Sequence, residues 1–184
     1  EDSLDAITNG EVDIGFTGRE SHPRSKESLE LLPYFINFEV LFSDLPMVYV
    51  RKDHPALEHE WNLTAFLSYP HINVAWEKSD NWALDEILTE QGYSRKVSLT
   101  MASFEQALLV AEKPNHQMLT TAPKYCQQYC EQLHPNLVAL PIPIAKEYQH
   151  KLLIPFTIIW HKRNNQNPKV MWLKEAIKSM YNAS

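Results

Sequence analysis

Three places in this sequence put a hydroxyl where a strand gives way to a turn or a helix: Thr17-Gly18, Ser103 and Thr120-Thr121. Such positions can hold a small polar or anionic ligand. Loops at the carboxyl ends of strands in open α/β sheets border the crevices where ligands sit. The first turn of a helix adds free N–H groups and a partial positive charge. Trp76 and Ser79 flank Glu77-Lys78 after another strand, and an aromatic beside a cap can wall a pocket for a flat ligand. Each has an ordinary structural alternative. Gly18 fits a plain turn at positive φ, Ser103 and Thr121 fit helix caps, and Trp76 fits core packing or surface shielding.

The remaining reactive side chains point away from catalysis. Cys126 and Cys130 lie four apart on one helical face, with no second Cys/His pair at metal spacing, so they read as reduced core thiols in a reducing cytoplasm. His54 and His59 are five apart, which is wrong for one helical face, so no metal pair is expected. Asp80, Asp85 and Glu86 read as the solvated side of a helix. There is no Gly-x-Ser-x-Gly elbow, no zincin histidine pair and, with only four glycines, no phosphate-cradling loop. Neither an enzyme nor a cofactor is expected. A net charge of -6 disfavours a direct grip on a phosphate backbone. No apolar run approaches the roughly 20 residues needed to cross a bilayer, so the chain reads as soluble.

The elements that must position these residues alternate between strand and helix, which predicts an α/β architecture. Strands are expected at 12–16, 41–42 with 46–50, 71–75, 97–101, 117–121, 137–140 and 154–160. Helices are expected at 63–67, 79–91, 103–111 and 123–133, and from Pro168 onward. The helix at 79–91 carries an apolar stripe of Trp82, Leu84, Ile87 and Leu88, capped by Ser79 or Asp80 and stopped by Gly92. Ser103 and Gln106 have capping-box form. Asn167 caps the last helix, where Val170, Leu173, Ile177 and Tyr181 make a stripe to be covered and Trp172 is expected to be buried. Residues 3–9 read as the tail of a helix ended by Gly10. A chain seldom opens inside a helix without a start signal, so a missing N-terminal portion is expected.

Ordered short motifs carry a resemblance. Gly10-Glu-Val-Asp-Ile-Gly-Phe16, Asp53-His54-Pro55, Leu63-Thr-Ala-Phe-Leu67 with Tyr69-Pro70, Thr100-Met-Ala-Ser-Phe104 and Leu119-Thr-Thr-Ala-Pro123 follow one another. Trp160-His161-Lys-Arg163, a polar spacer, Asn167-Pro168 and Trp172-Leu173-Lys174 close the chain. Together they resemble the regulatory domain of the LysR-type transcriptional regulators, in the subgroup that includes regulators of nodulation and of aromatic-compound degradation. The family's first regulatory strand has no counterpart here.

The resemblance implies two Rossmann-like subdomains joined by two crossover strands, as in type II periplasmic binding proteins. The first would be 1–52 with 159–184 and the second 53–158, with crossings near 50–54 and 158–161. It implies a small anionic or aromatic metabolite in the cleft, touched by Thr17, Gly18, Trp76, Ser79, Ser103, Phe104, Thr120 and Thr121. Some members carry histidine where Ser103 stands. Thr17, Ser103 and Thr121 are then expected to face one shared cavity. It further implies a homo-oligomer, dimer or tetramer, paired antiparallel through the helix ending near Gly10 and the helix at 123–133 with Tyr125, Gln128 and Tyr129. DNA would be reached only through a winged helix-turn-helix domain that this sequence lacks. The alternative is an exported solute-binding protein of a transporter, which shares the cleft, and an enzyme of similar two-lobed fold ranks third.

Overall fold

Gly10, at φ 81°, ends the first helix in a conformation that a Cβ would strain, and the N–H groups of Gly10 and Glu11 close on the carbonyls of Ile7 and Ala6. The computed structural model describes residues 3–75, 81–114 and 116–182. In chain order they form α1 (Ser3–Asn9), β1 (Gly15–Gly18), β2 (Ile36–Asp44), β3 (Pro46–Arg51), α2 (Leu63–Leu67), β4 (His71–Val74), α3 (Ala83–Glu90) and β5 (Val97–Met101). There follow α4 (Phe104–Ala111), β6 (Leu119–Pro123), α5 (Cys126–Leu133), β7 (Leu137–Pro141), α6 (Lys146–Gln149), β8 (Ile154–His161) and α7 (Pro168–Asn182).

The strands make two sheets. One is three-stranded, in the order β1-β8-β2 with β8 antiparallel to both neighbours. The other has the order β5-β4-β6-β3-β7, parallel on the β4 side and antiparallel around β3. The chain changes sheet at Leu45, between β2 and β3, and returns at Leu153, just before β8. Both changes come earlier than the expected crossings at 50–54 and 158–161. The reason is pairing: β3 is hydrogen-bonded on both sides within the second sheet, and β8 on both sides within the first.

Side-chain alternation explains why both sheets are covered on two faces. In β3, Val48 and Val50 join Phe66, Leu84, Ile87 and Leu119, whereas Tyr49 turns to Ile72, Leu108, Cys126 and Cys130. In β8, Ile159 packs on Ile7 and Ile36, and Ile158 and Trp160 pack on Val170 of α7. Cys126 and Cys130 are free buried thiols, as expected, and burial pushes them up to about 12 and about 11.

Two further expectations need correction. Trp172 is 72% exposed and Trp160 takes the buried place at 6%. On α7 the inward line runs through Val170, Lys174 and Ile177, with Lys174 Nζ 3.5 Å from the centre of the Trp160 ring. Trp172 is two residues from Val170 and so faces the other way. The helix expected at 79–91 begins at Ala83, with Trp82 as its cap residue and the Asp85 carboxylate accepting the Trp82 N–H at 3.2 Å. The caps expected at Ser79 or Asp80 lie outside the described residues.

Candidate functional site

The two sheets meet around a cavity of about 40 Å³. The first contributes Gly18, at the end of β1, and Ile154, at the start of β8. The second contributes Pro46, Asn73, Val74, Thr121 and Pro123 from strand ends, Phe104 from α4 and the α3 cap Trp82. Arg19 and Glu20, just beyond β1, complete the wall. A space of this size holds a few waters, at roughly 10–15 Å³ each by the same measure.

Of the residues expected at the site, Gly18, Phe104 and Thr121 line this cavity. Gly18 does so as a strand residue paired with Phe156; the positive-φ glycines are Gly10 and Gly92. Thr17 borders a different groove with Phe16, Phe42, Phe156 and Tyr181. Ser103 caps α4 by accepting the Gln106 N–H at 3.3 Å and does not line the cavity. Thr120 is fully buried, and its hydroxyl donates to the Ile72 carbonyl at 3.2 Å, so it ties β6 to β4. Thr17, Ser103 and Thr121 therefore do not share one cavity. Strand alternation separates neighbouring residues, and a cap hydroxyl turns back onto its own helix. Trp76 and Ser79 lie outside the described residues.

The polar lining was missing from the sequence reading. Arg19 and Glu27, both buried, pair at 2.7 Å. Glu20 is 7% exposed; its Oε1 accepts the Ala83 N–H at 3.1 Å, and its Oε2 accepts the Ser25 hydroxyl. Burial holds the Glu20 carboxyl above its ordinary value against both hydrogen bonds, and Glu27 and Asp85 add to the rise. Asn73 is held by Arg95, whose Nη2 donates to Asn73 Oδ1 at 2.7 Å while Nε and Nη2 grip both oxygens of Asp85. Asp85 is thus a partner of a buried arginine, not a solvated helix charge.

The segment 19–28 crosses from the first sheet to the second. Besides the Glu20 bond to Ala83 on α3, His22 Nε2 lies 3.6 Å and Arg24 Nη1 3.3 Å from Glu90 Oε1, at the far end of α3. Among the described residues no cluster of three or more His, Cys, Asp or Glu could hold a metal ion, and no helix is long and apolar enough to cross a membrane.

Comparison with known proteins agrees with this architecture. The LysR substrate binding domain family matches residues 1–182. The HTH-type transcriptional regulator YidZ of Citrobacter koseri is 61% identical over 181 residues, 98% of this chain and 56% of that protein. The chain thus spans about half the length of the curated relatives it matches. The regulatory domain of MexT, a transcriptional activator in Pseudomonas aeruginosa, superposes with a TM-score of 0.73 at 18% identity, covering 97% of this chain and 76% of that one. The effector-binding domain of QuiR in complex with shikimate superposes at 0.70 with 15% identity, covering 98% and 77%.

Proposed function

The chain belongs to the LysR substrate binding domain family, the effector-binding domain of regulators that are not enzymes, and from this premise we propose that its ligand is a small metabolite held between the two sheets. The observation that carries the reading is the cavity walled from both sheets at their strand ends, with Trp82 and Phe104 as flat surfaces. The solved relative holding shikimate supports a compact, ring-bearing metabolite as the class.

As it stands the cavity is too small for a metabolite, so the two subdomains must part to admit one. The signal arises only if the ligand binds the parted and closed arrangements with different affinity. The subdomain boundaries, set at 52/53 and 158/159 by the resemblance, are proposed here at Leu45 and Leu153, where hydrogen-bonded partners change. Gly18, Phe104 and Thr121 are the proposed ligand contacts among the expected residues, with Trp76 and Ser79 retained from the sequence.

The output would pass to an N-terminal winged helix-turn-helix domain in the longer protein, which alone would touch DNA. A homodimer or tetramer in the cytoplasm goes with this reading. The transporter alternative is not favoured, since the relatives are named as transcriptional regulators.

Thermal-shift screening of metabolites tests the reading, with Phe104→Ala as control. A ligand at 100 times its Kd adds about 2.7 kcal/mol of stability, and each kcal/mol moves Tm by about 2–4 °C in a domain of this size. A ligand that shifts wild type and Phe104→Ala equally would place binding elsewhere and end the cleft reading.

A further inference from the structure

Glu20 stands apart from the other charges around the cavity. Arg19 is matched by Glu27 at 2.7 Å, and Asp85 by Arg95 at 2.7 Å. Glu20 is equally buried and lines the cavity, and among the described residues it accepts from two neutral donors, the Ala83 N–H and the Ser25 hydroxyl. Among the described residues no cation pairs with it. A carboxylate offers about four lone-pair directions, so two donors leave acceptor capacity on a side chain that faces the space. A buried charge without a counter-charge is unfavourable and gains most from a cation delivered to it. The other walls, Pro46, Val74, Trp82, Phe104, Pro123 and Ile154, are apolar and in part flat.

We propose that the cleft selects a ligand with a flat apolar body and a positively charged, hydrogen-bond-donating head, an aryl or heteroaryl amine, whose ammonium meets Glu20. This rests on the cleft reading above and replaces the anionic class expected from the sequence. A ligand carboxylate in the same space would meet Glu20 as a like charge, and the arginine beside it already has Glu27. The raised pKa of Glu20 agrees with a carboxyl still lacking its counter-charge.

The test uses three probes with one ring and different heads: benzylamine, benzyl alcohol and benzoate. Binding is followed by NMR at the amides of Val74, Phe104 and Thr121 in wild type, Glu20→Gln and Glu90→Gln. Benzylamine is expected to bind at least about tenfold more tightly than benzoate, the scale of one charge-assisted hydrogen bond. Glu20→Gln should erase that preference, and Glu90→Gln, at the far end of α3, should keep it. Benzoate binding as well as or better than benzylamine, or a preference that survives Glu20→Gln, overturns the proposal and leaves the cleft standing. If Glu20→Gln does not fold, the wild-type order of the probes decides alone. If no probe moves the cleft amides, the cleft reading fails and takes this one with it.

Discussion

Protonating one buried histidine should weaken the frame that carries the cavity. His71 opens β4, the strand whose later residues Asn73 and Val74 form part of the wall, and it is fully buried. Its Nε2 lies 2.9 Å from the Phe66 carbonyl oxygen, which can only accept, so Nε2 carries the hydrogen. The Phe66 ring stands edge-on to it at 4.5 Å. Burial, then the charge of Arg95, hold its pKa down to about 4 against an ordinary 6.5. A depressed base binds fewer protons folded than unfolded. Its contribution is therefore complete above pH 6.5 and is lost as pH falls toward 4. At about 1.4 kcal/mol per pH unit the full loss is about 3 kcal/mol, and at pH 5 about 2 kcal/mol. The assay is urea unfolding at pH 8 and pH 5 for wild type and His71→Gln, whose amide can still donate to the Phe66 carbonyl. Taking the difference between the two proteins cancels Glu20, His22 and His54, which shift for reasons of their own. Wild type should lose about 2 kcal/mol more than the variant, about 1 M in urea midpoint for a typical slope. Equal losses in the two proteins would refute the burial argument.

Trp160→Ala should cost about 3–5 kcal/mol in the same assay, and Trp172→Ala should stay within about 0.5 kcal/mol, because only the first ring is enclosed. Ser103→Ala should cost about 1 kcal/mol through the lost cap of α4 and leave ring-probe affinity unchanged, since its hydroxyl is turned to Gln106; a large affinity loss would return Ser103 to the site. Light scattering over a concentration series should show a dimer that Tyr129→Glu shifts toward monomer, because Tyr125 and Tyr129 on the proposed face are open to solvent. A monomer at every concentration would remove that interface.

The elements legible in the sequence were those whose burial is settled by near neighbours. Leu84, Ile87 and Leu88 recur at helical spacing and are buried on α3; Asn167 caps α7 through the Lys169 N–H at 3.1 Å; and Ser103 caps α4. β2 escaped notice outside Leu41-Phe42. It is an edge strand with Phe38 and Val40 partly in solvent, so its apolar residues alternate with Asn37, Glu39 and Ser43 in no clear burial pattern. β1 was placed too early because Val12 and Ile14 look like strand residues, whereas pairing with β8 starts at Gly15. Trp82 fitted the helical stripe by spacing and instead serves as the cap residue at the cavity wall.

The site divides along the same line. That Gly18, Phe104 and Thr121 line the cavity was legible because strand ends are a local pattern, and in open α/β sheets they border a crevice. The pattern went wrong in treating neighbouring residues as equivalent and a cap hydroxyl as free: alternation sends Thr120 to the core and Thr121 to the cavity, and Thr17 away from Gly18, while the Ser103 hydroxyl turns back onto α4. Arg19, Glu20 and Glu27 carried no such pattern. They stand in or just before the polar, breaker-rich stretch 22–28, which reads as a loop, and Glu20 owes its tie to the second sheet to the N–H of Ala83, 63 residues away. That charge acquires meaning once Ala83 is known to donate to it. The residue proposed to set the ligand's charge, Glu20, is therefore the one whose surroundings the sequence expressed least.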